Sequence, residues 1–333
     1  MSPKNIIVTG VTGFIGYHLA LQLAKVYSNV IGIDNNLRGG ADSAKEKLQE
    51  AKVHYIDCDL SNYSELVERC SKYIIDCEYI YHLAAYNGTQ NFYKYPYKVI
   101  KNSSLPTMNI VEFVIKNELN CKILYTGSSE SYAESVNRGI EKIPTNESAL
   151  VSLGSLNNPR WSYSCGKTFG EYLLSSANIQ YGLQSVIARV HNIYGPRMGK
   201  NHFFPDFINR LLEGDFSVYG AKQTRSFCHI SDCCNALIYL MESDIDFGIY
   251  NVGSNNEINI YDCAELIMEI MKVEGELKIL EPPIGSVNRR CPDISKINRL
   301  LGDNWEKKEL KSGLIELVKW YSQKNLELEK NFQ

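Results

Sequence analysis

Tyr163 and Lys167 set a phenol and an amine four residues apart at the start of a helix-forming run, so the two share one helix face. A free phenol ionises near pH ~10. To act as a base near neutrality it must fall by about three units, or ~4 kcal/mol in favour of the phenolate. A neighbouring ammonium and a cofactor cation supply such a shift. A phenolate of that kind takes a proton from a substrate hydroxyl while hydride leaves the same carbon for a nicotinamide. Read alone, such a spacing is usually a solvated tyrosine beside a snorkelling lysine. Two other stretches give it context. Ser128, Ser129 and Glu130 end an apolar run upstream and offer a hydroxyl to hold the reacting oxygen and a carboxyl to move a further proton.

The third stretch is Thr9 to Gly16, where Gly10, Gly13 and Gly16 follow a strand and open a helix. Glycines there allow a tight turn, close backbone approach to a pyrophosphate and close helix–strand packing, with the anion on the helix N-terminus. Asp34 ends the second strand about twenty residues further on, where a carboxylate accepts bonds from both ribose hydroxyls and repels a 2′-phosphate. This favours NAD over NADP, although Arg38 stands nearby. Asp59 ends the third strand, within reach of an adenine amino group or in the role of an acid beside a helix N-terminus.

These side chains need an α/β frame. From residue 4 to about 126, short β-branched runs alternate with amphipathic helical stretches, the pattern of a parallel sheet covered on both faces. Strands are expected at Asn5–Thr9, Val30–Asp34, Val53–Cys58, Tyr79–Leu83 and Lys122–Thr126, with a sixth at Gln184–Arg189. Helices fall at Gly13–Val26, Asp42–Glu50, Asn62–Tyr73 and Tyr97–Lys116. The fold class is a doubly wound parallel (Rossmann) sheet over residues 1–189, revisited around 226–256. A smaller C-terminal substrate-binding lobe takes most of 190–333, with no flexible spacer between the two.

Composition narrows the partners. The 333 residues are 44% hydrophobic and 22% charged, with a formal net charge of -3, so nothing attracts nucleic acid or an anionic membrane in general. The ten cysteines are scattered without a C-x-x-C pair, which points to reduced thiols, and the six histidines lack ligand spacing, so no metal is expected. No apolar run is long enough to span a bilayer, and the chain opens straight into a strand, giving a cytoplasmic expectation.

Taken together, the glycine turn, the strand end His82 to Ala85, the Ser128–Glu130 triplet and the Tyr163/Lys167 pair resemble the extended short-chain dehydrogenase/reductase family, NAD-dependent nucleotide-sugar epimerases, dehydratases and decarboxylases. Arg189 to Pro196, Val218 to Phe227 and Arg289 to Lys296 resemble its substrate-lobe motifs, so the likeness covers nearly the whole chain. Asn158 to Trp161 and the triplet are most similar to the UDP-glucuronate decarboxylase branch and its epimerase relatives. The resemblance implies oxidation of a sugar at C4 to a 4-keto intermediate with recycled NAD, by Tyr163, Lys167 and Ser128, with Glu130 moving the next proton. It further implies cofactor contacts at Phe14, Ile15, Leu60, Leu83, Ala84 and Ala85 beside the glycines, Asp34 and Asp59. Ser129, Asn192, Arg225 and Arg290 would bind a nucleotide-diphosphate sugar, the two arginines gripping the diphosphate. Epimerisation is the first expected fate of the ketone, UDP-glucuronate decarboxylation or 4,6-dehydration the alternatives, and a catalytically silent NAD-binding regulator the alternative of another class. Ala133 stands where the family usually has glycine, and a long loop follows it. By the same resemblance, Tyr97–Lys116 and Tyr163–Ala177 pair with their copies in a homodimer.

Overall fold

The computed structural model describes residues 4–37, 44–200, 202–282, 286–302, 305 and 307–330. The chain runs β1 (Asn5–Thr9), α1 (Phe14–Leu23), β2 (Val30–Asp34), α2 (Ala44–Glu50), β3 (His54–Asp57), α3 (Tyr63–Ile74), β4 (Cys77–His82), α4 (Thr89–Lys94), α5 (Pro96–Lys116) and β5 (Lys122–Ser128). A 3-10 turn (Ser129–Tyr132) leads into α6 (Ala133–Asn137), α7 (Trp161–Tyr181), β6 (Ser185–Val190), β7 (Ile193–Tyr194), α8 (Phe203–Leu212), β8 (Ser217–Tyr219) and β9 (Thr224–Ser226). Then come β10 (Cys228–His229), α9 (Ile230–Glu242), β11 (Phe247–Val252), β12 (Glu257–Asn259), α10 (Ile260–Met271), β13 (Lys278–Leu280), β14 (Arg289–Arg290), α11 (Ser295–Leu301) and α12 (Leu310–Lys330).

Two compact units result. The first comprises Met1–Glu134, Leu150–Val190 and Cys234–Tyr250. It is built on a seven-stranded sheet in the order β11-β6-β5-β4-β1-β2-β3. The pairs from β3 to β6 are parallel. Bonds from Ser185 N–H to the Asp246 carbonyl (2.8 Å) and from His191 N–H to the Val252 carbonyl (2.9 Å) give β11 the same direction. Strands covered on both faces read as unbroken apolar runs. Accordingly Ile6, Ile7, Val8, Ile80, Tyr81 and Leu124 are fully buried. The order reverses between β1 and β4, and in sheets of this kind ligands bind beyond the strand ends at that point.

The second unit comprises Ser135–Ala149, His191–Cys233 and Asn251–Gln333. It has small sheets β12-β9-β14, β10-β7 and β13-β8. The first unit runs to Val190, beside the expected 189; the chain returns to it over 234–250 rather than about 226–256, and 135–149 clusters with the second unit. Backbone bonds from Thr145 N–H to the Cys291 carbonyl (3.0 Å) and from Asp293 N–H to the Thr145 carbonyl (2.8 Å) tie that segment in. Pairing of this kind has a non-local partner, which no local pattern announces.

Most expected elements stand within two residues of their observed ends. β4 starts earlier and stops at His82, because the Leu83 and Ala84 N–H groups leave the ladder for the Thr9 hydroxyl, each at 3.1 Å. The expected start of the second helix at Asp42 lies outside the described residues, as does Arg38. All ten cysteines are free thiols, and nine are buried. Among the described residues no helix is long and apolar enough to cross a membrane.

Candidate active site

The first unit gathers the expected chemistry at the carboxyl ends of β1, β4 and β5. Gly10 has φ +69, and a Cβ there would stand 2.9 Å from the Ala84 backbone nitrogen. Gly16 is equally constrained, since a Cβ would run into the Gly10 carbonyl oxygen. Only glycine leaves this turn both its shape and its open backbone. Asp34 is fixed by two backbone donors, Thr12 N–H at 2.9 Å and Asn36 N–H at 2.7 Å. Each carboxylate oxygen keeps capacity for a second bond, which suits a pair of ribose hydroxyls. The glycine turn and Asp34 together fit a dinucleotide. Phe14 and Ile15 open α1, and Leu83, Ala84 and Ala85 follow β4.

Asp59 lies just beyond β3. Its Oδ1 accepts the Ser61 N–H at 2.9 Å, while Asn62 caps α3 by accepting from Ser64 and Glu65 N–H. Buried Leu60 passes its carbonyl to Asn109, at 2.8 Å.

Beneath the turn lies a chain of polar contacts around His82, which the sequence pattern marks only as a strand end. Thr9 Oγ1 already accepts two N–H groups, so its proton points to His82 Nδ1 at 2.8 Å. The ring then carries its own proton on Nε2, facing Thr107 Oγ1 at 3.0 Å. Burial, together with the Lys167 charge, pushes His82 down to about 3, so it stays neutral. The sheet is thereby pinned at its switch point without placing a charge there.

Helix α7 presents Tyr163 and Lys167 as the spacing requires. Lys167 is 2% exposed, and its Nζ donates to the Thr126 carbonyl at 2.7 Å. It lies 4.8 Å from the centre of the Tyr125 ring and 5.9 Å from that of Tyr163. Burial pushes this ammonium down to about 7, while Glu171 pulls it back up. Phe92 stacks on Tyr163 with ring centres 5.3 Å apart. Ser128, two residues beyond Thr126 on β5, is buried, and its Oγ accepts the Glu130 N–H at 3.2 Å. Ser129 is buried beside it.

Five further residues contribute that the motifs do not announce. Glu171 and Arg189 form a buried pair, Nη2 to Oε2 at 2.8 Å, with Nε 3.2 Å from both carboxylate oxygens. Ser131 donates to the same carboxylate at 3.0 Å, tying the 3-10 turn to α7. The signal was present: Glu171 continues the Tyr163/Lys167 stripe at the next i+4 position, and an acid on a buried face calls for a cation. Arg160 pairs with Glu130, Nη2 to Oε2 at 3.2 Å. Phe92 sits on α4, a helix the sequence pattern did not reveal.

The second unit holds the expected diphosphate residues. β14 pairs with β9 so that Arg290 stands opposite Arg225. The Arg225 guanidinium donates to the carbonyls of Thr224 (2.7 Å) and Asn288 (3.3 Å) and to Gln223 Oε1 (3.3 Å). The neighbouring Arg289 pairs with Glu257, at 2.6 Å. Two in-register arginines make a cationic pair that favours an anion. Asn192 adopts φ +39, a left-handed conformation that asparagine tolerates, and donates to the Ser226 carbonyl at 3.0 Å. Among the described residues no group of three or more His, Cys, Asp or Glu side chains is placed to hold a metal ion.

A profile of the NAD dependent epimerase/dehydratase family matches residues 6–253. The chain belongs to that family. As a member it is an NAD-dependent enzyme of the extended short-chain dehydrogenase/reductase type. It is 33% identical over 320 residues to UDP-glucuronic acid decarboxylase 6 of Arabidopsis thaliana, covering 94% of this chain and 87% of that one. Among solved structures it is similar to the UDP-N-acetylglucosamine 4-epimerase of Methanobrevibacter ruminantium M1 in complex with UDP-N-acetylmuramic acid (TM-score 0.84, 27% identity, 97% of this chain and 100% of that one). It is also similar to the UDP-glucuronic acid 4-epimerase of Bacillus cereus in complex with UDP-glucuronic acid and NAD (TM-score 0.81, 25% identity, 96% and 99%).

Proposed function

We propose that this family member oxidises a UDP-linked uronic sugar at C4 and decarboxylates the resulting ketone. The observation that carries the oxidation is the Lys167 ammonium, anchored on the Thr126 carbonyl beneath Tyr163, with Ser128 two residues further along the same strand. NAD, when bound, supplies the hydride acceptor and later returns the hydride. Tyr163 takes the C4 hydroxyl proton, its phenolate favoured by Lys167, and Ser128 holds the oxygen by a hydrogen bond. The C4 ketone then accepts the electron pair of the breaking C5–carboxyl bond, carbon dioxide leaves, and C5 of the enolate takes a proton that Glu130 relays from water. Gly10, Gly13, Gly16, Phe14, Ile15, Leu83, Ala84 and Ala85 hold the dinucleotide, Asp34 its ribose, and Asp59 and Leu60 the adenine. Ser129 and Asn192 contact the substrate, and Arg225 and Arg290 bind its diphosphate.

The uronic sugar is supported by the names of two relatives of different reaction type, the Arabidopsis decarboxylase and the Bacillus cereus epimerase. Epimerisation at C4, the fate the sequence put first, is the second reading and is favoured by the two solved 4-epimerases. Product mass separates them: loss of carbon dioxide from UDP-glucuronic acid supports the first, and an isomer of unchanged mass the second. No conversion of any UDP-sugar in a panel would overturn both.

The assembly proposed is a homodimer acting in the cytoplasm. Helices α5 and α7 pack side by side, yet leave Tyr97, Ile100, Met108, Phe169, Tyr172 and Ile179 exposed along their outer faces. Paired with a second copy, those faces would bury a continuous apolar stripe.

A further inference from the structure

Glu130 is held on three sides. Its N–H donates to Ser128 Oγ (3.2 Å), its carbonyl accepts the Ser164 hydroxyl (2.6 Å), and its carboxylate pairs with Arg160 (3.2 Å). Two of those three partners flank Tyr163 in sequence. Arg160 stands at the head of α7 in helical conformation (φ -49, ψ -37), so 160, 163 and 167 follow the i, i+3, i+7 spacing of one helix face. The arginine is itself restrained: its N–H donates to Asn158 Oδ1 (3.1 Å), and its guanidinium lies 5.4 Å from the centre of the Trp161 ring. The pair is 14% and 16% exposed, so solvent screens it far less than a surface pair.

We propose that Arg160 is a positioning residue, which fixes the direction and balances the charge of the Glu130 carboxylate beside the Tyr163 face and so sets the efficiency of the proton transfer that follows C4 oxidation. This rests on the reading that Glu130 relays that proton. A side chain that can rotate away from the C5 position loses proximity to the proton it must move, and an arginine from the helix that carries the base keeps both groups in one frame.

A double-mutant cycle tests it, with UDP-glucuronic acid as substrate, overall turnover as one readout and the single-turnover rate of cofactor reduction as the other. Arg160→Gln is expected to lower turnover by about tenfold or more while changing the reduction rate by less than about threefold. Arg160→Lys, which keeps the charge, should recover a good part of the loss. In a Glu130→Gln background, Arg160→Gln should cost less than about twofold, because nothing remains for it to orient. Additive losses, or equal loss in the reduction step, would overturn the proposal and make Arg160 a structural residue of α7. Full turnover in Glu130→Gln alone overturns instead the reading that Glu130 relays the proton, and the role of Arg160 falls with it.

Discussion

At the residue scale, one buried amine and one phenol carry the proposed proton transfer. Tyr163→Phe removes only the ionisable oxygen, while the ring keeps its stack on Phe92. It should retain NAD and UDP-sugar affinity within a few-fold and lose turnover by roughly 100- to 10,000-fold, measured by titration and steady-state kinetics. Lys167 adds a pH signature. Burial lowers its folded-state value to about 7 from the ordinary 10.5 of the unfolded chain. Between those values the unfolded state binds more protons, so this group's contribution to stability rises with pH across that window, and its burial penalty is full below it. Cofactor-free protein should therefore gain in denaturant midpoint from pH 7 to about pH 9, and Lys167→Met should gain less. Equal gains in the two proteins would contradict the depressed amine.

At the element scale, α7 is a helix brought unusually close to its neighbours. Gly166 and Gly170 lie one turn apart, where a Cβ would stand 2.6 Å from Ser103 on α5 and against the Tyr125 hydroxyl on β5. Glycine inside a helix costs about 1 kcal/mol relative to alanine, so close packing must offset it. Gly170→Ala should push α7 off the sheet, destabilise the protein by about 1–3 kcal/mol and reduce turnover, read by denaturation and kinetics together. A neutral or stabilising effect would mean that the helix has room to spare. These elements also show how much was legible. β1 and β2 match expectation residue for residue, since β-branched runs buried on both faces have few other readings. Tyr163, Lys167, Ser128 and the glycine turn were visible because their spacing is local. Phe92 and Arg189 were not, because their roles depend on α4 and β6 meeting α7, and no sequence period records a contact across elements. The pairing of Arg225 with Arg290 likewise appears only once β14 is set beside β9.

At the scale of the whole molecule, the first unit carries the cofactor turn and the proton-moving side chains, and the second carries the cationic pair. One consequence concerns assembly. Tyr172 and Ile179 are 63% and 83% exposed on the outer face of α7, an arrangement that water tolerates poorly at that size. Sedimentation at micromolar concentration should report a dimer, and Tyr172→Arg combined with Ile179→Asp should shift it toward monomer without unfolding it. A wild type that sediments as a monomer would contradict the proposed interface.

The proposed chemistry requires that hydride leave C4 of a UDP-sugar and come back to the same carbon. UDP-glucuronic acid carrying deuterium at C4 reads this most directly, with the product analysed for label position and mass. A slower reaction than with unlabelled substrate, deuterium retained at C4, and a product lighter by carbon dioxide are the expected result. Deuterium lost to solvent, or product formed from C4-labelled substrate with no slowing and no label at C4, would contradict it.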